Sequence, residues 1–128
     1  MRSIRVTNAK GPFAQEISVG AHKLLSDVVI GEGGEDQGPS PHEYLAASLG
    51  SCTAMTIKMY AKRKDWPLEN TEIDVDIKET PGNATFERKI RLIGSLDETQ
   101  RKRLLEIADH CPVHKTLSSV IKIETTLL

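Results

Sequence analysis

The chain has 128 residues, long enough for one hydrophobic core and typical of a single domain. A net charge of −1 and 4% aromatic residues argue against a nucleic-acid platform or an anionic membrane as partner. No apolar run approaches the ~20 residues that cross a bilayer. The N-terminal MRSIRVTNAKGPF lacks an apolar signal segment, so a cytoplasmic protein is expected. In that compartment its two cysteines suit catalysis or metal binding better than a structural disulfide.

Residues 3–8 and 13–19 read as short strands, punctuated by Gly11-Pro12 and Gly20, and a third is expected from His22 to Val29. The stretch VIGEGGEDQGPSP reads as a mobile loop. It lacks the Lys-Ser/Thr ending of a phosphate cradle, and its acids would repel phosphate. A long helix follows from Ser40 to Lys64. Ser40 is its N-cap, Pro41 suits the first position, and Glu43 completes an S-x-x-E capping box. Lys58, Lys62, Arg63 and Lys64 favour the negative end of the helix dipole, and Pro67 prevents continuation. Leu45, Leu49, Cys52, Met55 and Met59 fall on one apolar stripe; Ala46, Gly50, Ala54, Ile57 and Ala61 fall on another. Two stripes predict packing on two sides, with Cys52 in packed surroundings.

Thr71 to Lys78 alternates, with Ile73, Val75 and Ile77 inward. After Pro81-Gly82-Asn83 a second alternating run carries Phe86, Ile90 and Leu92. The pair predicts an antiparallel hairpin with a connection longer than two residues. Ser95-Leu96-Asp97-Glu98 reads as a second capping box, opening a helix to about His110 with Leu104, Ile107 and Ala108 buried. Pro112 breaks that helix and can start a short one, which makes Cys111 its N-cap. A final strand is expected from Val120 to Leu127. The order βββ-α-ββ-α-β is an α+β fold with antiparallel sheet and a central helix, in one domain over residues 1–128.

A sulfur at a helix N-terminus is favoured as thiolate, and Lys115 with His110 or His114 could add positive charge near Cys111. The plain alternative for Cys111 is a small capping residue without chemistry. For Cys52, an apolar helix face suits a packing cysteine. The residues by themselves leave open whether the two sulfurs meet. Cys111-x-x-His114 is also half a zinc motif, which His110, Cys52 or His42 could complete. The second ligand pair is missing, so neither a metal nor a cofactor is expected.

Two segments, GPSPHEYLAASLGSCTAMT around Cys52 and ADHCPVHKTL around Cys111, flank the alternating hairpin. Together they resemble the OsmC/Ohr family of thiol-dependent peroxidases over essentially the whole chain. The resemblance implies an intertwined homodimer, with antiparallel sheets wrapped around long central helices and active sites at the subunit interface. It implies that Cys52 is the peroxidatic thiolate, which reduces a hydroperoxide and becomes a sulfenic acid. Cys111 would resolve that acid to a disulfide, and an external dithiol reductant would restore both thiols. Organic hydroperoxides are the implied substrates, with hydrogen peroxide reduced more weakly, in oxidative-stress defence. No nucleic-acid or membrane partner is implied.

In the family an N-terminal arginine pairs with the peroxidatic cysteine and is held by a glutamate in the first turn of the helix. Here the N-terminal stretch offers Lys10, which carries charge without the two-pronged fork of arginine. The glutamate's position holds His42, and Glu43 stands one residue later. Nine residues at about 100° each set Glu43 opposite Cys52 on a straight helix, where capping accounts for it. Lys10, His42, Glu43 and His114 are the supporting candidates. The missing arginine motivates an alternative, a catalytically weak OsmC-like domain that binds a small apolar ligand or serves as a structural partner.

Overall fold

In the computed structural model, which describes residues 1–128, the first 45 residues form one unit built on an antiparallel meander. Its strands are β1 (Ile4–Asn8), β2 (Gln15–Val19) and β3 (His22–Ser26), in the order β1-β2-β3. Val6 pairs with Ile17 and Ile17 with Leu24, so apolar side chains line up across the strands. Gly20, at φ 59°, takes the left-handed position in the tight turn between β2 and β3.

The glycine-rich loop that follows is held more firmly than its composition suggests. The buried Asp27 carboxylate accepts the backbone N–H of Val28 at 2.7 Å, Gln37 at 3.1 Å and Glu35 at 3.3 Å. The Gln37 bond is the main reason this carboxyl stays below the usual aspartate range, with burial opposing it. One 3-10 turn, Ile30–Glu32, lies inside the loop.

Helix α1 (Pro41–Lys64) begins where its capping box places it. Glu43 accepts the Ser40 N–H at 2.8 Å, and Ser40 Oγ accepts the Glu43 N–H at 3.3 Å. The apolar stripes expected along α1 need correction. Its buried residues are Leu49, Thr53, Ile57 and Ala61, one every four positions. Leu45, Met55 and Met59 are exposed, and Cys52 is half-buried rather than packed. Apolar pattern alone misplaced the face, because the polar Thr53 lies at its centre.

The second unit, Ala46–Leu128, is built on the hairpin β4 (Leu68–Thr80) and β5 (Asn83–Gly94). Alternate β4 residues from Thr71 to Ile77 are half-buried, as the alternation requires. The connection is shorter than expected, the two residues Pro81-Gly82 between the paired Thr80 and Asn83. Proline fixes φ near about −65°, and Gly82 takes φ 78°, the type II pattern. Gly50 brings α1 close to this hairpin, since a Cβ there would meet Val75 Cγ2 at 3.5 Å.

Helix α2 (Glu98–Ala108) packs Leu104 and Ala108 against Ile57 and Ala61 of α1 to make the core. Its cap is Asp97 paired with Gln100, two residues beyond the box expected at Ser95, because the Asp97 carboxylate reaches the third N–H. Helix α3 (Pro112–Leu117) then opens with Cys111 as N-cap and Pro112 in its first position, as expected.

The expected final strand does not form. Residues 120–128 belong to neither sheet, and Val120, Ile123 and Leu127 are exposed. Alternation makes a segment able to pair, but a strand exists only where its backbone groups find a ladder. The class remains α+β with antiparallel sheets, in the order βββ-α-ββ-α-α.

Candidate active site

Cys111 sits at a forced break in the chain. After α2 the turn is closed by the His110 N–H on Ile107 O at 2.9 Å and the Cys111 N–H on Ala108 O at 3.4 Å. Pro112 has no N–H to extend the helix, so a new one starts and Cys111 caps it. The Cys111 sulfur accepts the His114 N–H at 3.5 Å. The residue is completely buried.

Cys52, from the middle of α1, is within hydrogen-bonding reach of that sulfur. The two thiols are therefore neighbours, and both are free. Their environments differ. Burial, then the hydrogen bond to Cys111 and the charge repulsion from it, push the Cys52 thiol up; the Val113 N–H and the Thr56 hydroxyl oppose this. Burial also pushes Cys111 up, but interactions with Cys52, with the His114 and Val113 N–H groups and with the Thr53 side chain outweigh it. Cys111 ends below the ordinary cysteine value. Cys52 is thus pushed toward its protonated form and Cys111 toward thiolate.

A cation that joins this neighbourhood through Thr53 is Arg88, which was not among the expected site residues. Its guanidinium donates to Thr53 Oγ1 at 3.0 Å, to the Ala108 carbonyl at 3.2 Å and to Asp109 Oδ1 at 2.9 Å. Only 12% of its side chain is exposed. Thr53 Oγ1 also donates to Leu49 O at 2.7 Å, within the buried stripe of α1. One sequence signal pointed to Arg88: it alternates with Phe86, Ile90 and Leu92, which puts an arginine on the inward side of β5.

Of the supporting candidates, His114 reaches the Cys111 sulfur through its backbone N–H, while its Nδ1 lies 3.8 Å from Asp109 Oδ1. The Glu43 carboxylate is held by the Ser40 N–H, the main reason its pKa lies below the ordinary value, which supports its capping role. His42 is exposed in the first turn of α1. Lys10 is exposed, and its carbonyl accepts from the Gln37 side chain at 2.6 Å. The zinc alternative finds no ligand set, since nowhere do three His, Cys, Asp or Glu side chains gather to hold a metal ion. No helix is long and apolar enough to cross a membrane.

Two open clefts adjoin residues of the network. One, of about 440 Å³, is lined by Leu49, Phe86, Arg88 and His114 among others. The other, of about 530 Å³, is lined by Thr56, Met59, Lys62, Arg63, His110 and Pro112.

This α+β frame has counterparts among known proteins. The family described as OsmC-like protein matches residues 33–126. The chain belongs to the OsmC-like family. No curated protein matches it. Among solved structures, the OsmC-like chain is similar to a Psychrobacter arcticus protein named for osmotic stress induction and detoxification response. The TM-score is 0.77 at 22% identity, covering 91% of this chain and 88% of the other. It is similar to an OsmC-like protein of Mycoplasma pneumoniae, with a TM-score of 0.77, 17% identity and coverage of 94% and 89%. An organic hydroperoxide resistance protein OsmC of Legionella pneumophila gives a TM-score of 0.65 at 20% identity, with coverage of 92% and 89%. At these identities the likeness concerns the fold.

Proposed function

We propose that this OsmC-like chain is a thiol-dependent peroxidase that reduces organic hydroperoxides, and hydrogen peroxide more weakly, in oxidative-stress defence. Family membership, with structural neighbours named for organic hydroperoxide resistance, supports a redox role at family level. The observation that carries the assignment to residues is a half-buried Cys52 within hydrogen-bonding reach of a fully buried Cys111. Peroxide can reach the first sulfur and not the second. Cys52 attacks the hydroperoxide and becomes a sulfenic acid, releasing the alcohol. Cys111 then closes a disulfide with loss of water, and an external dithiol returns both thiols. Lys10, His42 and Glu43 have no assigned step, whereas the His114 N–H supports the Cys111 sulfur.

The chain acts as a homodimer in the cytoplasm, a reducing compartment that suits two free thiols. Exposed Leu45, Met55 and Met59 on α1 favour a second copy packed there. Steady-state consumption of cumene hydroperoxide with dithiothreitol as reductant tests the activity. Turnover should be lost in Cys52→Ser; turnover that survives this change refutes the assignment.

A second reading is a weakly catalytic OsmC-like domain that binds a small apolar ligand or a structural partner. The upward push on the Cys52 thiol favours it, because a protonated thiol is a poor nucleophile. Hydroperoxide consumption no faster than that of free cysteine would select this reading.

A further inference from the structure

The larger of the two clefts, of about 530 Å³, starts beside the thiols and ends in positive charge. Thr56, one turn after Cys52, lines its start and donates to the Cys52 carbonyl at 2.8 Å. His110 and Pro112, the two chain neighbours of Cys111, line it as well. Met59, Lys62 and Arg63 continue the lining along α1. At about 100° per residue, Thr56, Met59 and Arg63 all stay within about 40° of Cys52 around the helix. At about 1.5 Å per residue, Lys62 and Arg63 stand about 15–17 Å along the axis from it.

No carboxylate lines this cleft, and neither Lys62 nor Arg63 has an acidic partner. Other basic side chains do: Lys23 pairs with Glu16, Lys78 with Glu87, Arg91 with Glu72 and Arg103 with Glu106. Arg63 instead lies 5.8 Å from the Tyr60 ring, which also has Lys64 at 5.7 Å and Arg103 at 5.3 Å. An aromatic face steadies a cation without cancelling its charge. Three cations thus crowd one ring, and only Arg103 is paired. An anion at this end relieves their repulsion. The helix dipole draws basic residues to the last turn of α1, but it does not dictate that two of them line a cleft starting at a thiol.

We propose that Lys62 and Arg63 form an anion subsite through which this chain selects organic hydroperoxides that carry a carboxylate. The inference rests on the peroxidase reading above for turnover, but not for binding. The ligand is an elongated acid. Its carboxylate sits on the two cations, its chain lies along Met59 and Pro112, and its peroxide end reaches Cys52. A second copy packed on Met55 and Met59, as proposed above, would add to the apolar stretch. Lys62 and Arg63 lie most of a turn further along α1.

Two measurements test this, the first without peroxide chemistry. Dodecanoate, an acid with no peroxide group, is titrated into the reduced protein in a calorimeter. Both cations are exposed, so each contact is worth up to about a factor of five, and Lys62→Gln with Arg63→Gln should weaken binding about tenfold. Lys62→Arg with Arg63→Lys keeps both charges and should bind as the wild type does. Either single glutamine variant serves if the double one does not fold. Equal binding in the wild type and the folded glutamine variant overturns the proposal, as does no binding to the wild type.

In turnover, 12-hydroperoxydodecanoic acid is compared with its methyl ester within each protein. In the wild type the acid should lead in kcat/KM by about tenfold, through a lower KM, and the glutamine variant should bring the ratio toward one. If the wild type consumes cumene hydroperoxide but does not prefer the acid to its ester, the peroxidase reading stands and the subsite fails. If dodecanoate binding depends on the two cations while the wild type consumes none of these hydroperoxides, the subsite stands and the peroxidase reading fails.

Discussion

Arg88 illustrates how a residue can be half legible. Its alternation with Phe86, Ile90 and Leu92 places it inward on β5, and an arginine held inside must have partners. Those partners could not be read off, since Thr53 and Asp109 lie 35 and 21 residues away in the chain. Cys111 was easier, because Pro112 fixes a helix start locally and so fixes the cap. Cys52 was placed on the right helix but judged too buried, since its stripe-mates Met55 and Met59 face outward. The unequal thiols give a prediction at this scale. The hydrogen bond and the charge of Cys111 both raise Cys52, so removing Cys111 removes two upward pushes. In Cys111→Ala the pH midpoint of Cys52 sulfenate formation, followed by dimedone labelling and mass spectrometry, should move to lower pH. A midpoint that stays or rises would mean that Cys111 does not hold the Cys52 thiol up.

At the scale of elements, the ends of α1 and α2 follow from local chemistry. Capping boxes join residues three apart, a distance that sequence shows directly, although at α2 the Asp97–Gln100 pair outcompeted the alternative at Ser95. The buried face of α1 was less legible because Thr53 interrupts the apolar pattern. Its hydroxyl is tolerated there only because Leu49 O and Arg88 satisfy it. Ile57, fully buried against α2, is the stronger anchor. Ile57→Ala should cost about 2–5 kcal/mol in denaturant unfolding, whereas Ser40→Ala should cost about 0.5–2 kcal/mol.

The glycine-rich loop depends on one ionised carboxylate. Asp27 titrates below its ordinary range in the fold, so its contribution is present above the unfolded value and is lost as pH falls through the lower folded one. In Asp27→Ala the amides of Val28, Glu35 and Gln37 should exchange with solvent faster at neutral pH. Unchanged exchange would show that the loop is held by other contacts.

For the molecule as a whole, the α+β class and the pairing of β4 with β5 were legible, because alternation and turn residues act over short distances. The C-terminal segment was not. Val120 to Leu127 carries a strand pattern, yet no sheet of this chain receives it, and Val120, Ile123 and Leu127 remain exposed. Uncovered apolar side chains there and along α1 agree with the proposed homodimer. Light scattering should give a particle of twice 14.1 kDa, and Met55→Lys with Met59→Lys should shift it toward the single-chain mass. A wild-type particle at the single-chain mass would contradict the dimer.

The dithiol mechanism is tested most directly by the intact mass of reduced protein after one equivalent of cumene hydroperoxide. Cys52 and Cys111 should together lose two hydrogens, regained on adding a dithiol, with that loss absent in Cys52→Ser and Cys111→Ser. A wild-type mass that does not change, or a two-hydrogen loss that persists in either variant, would contradict it.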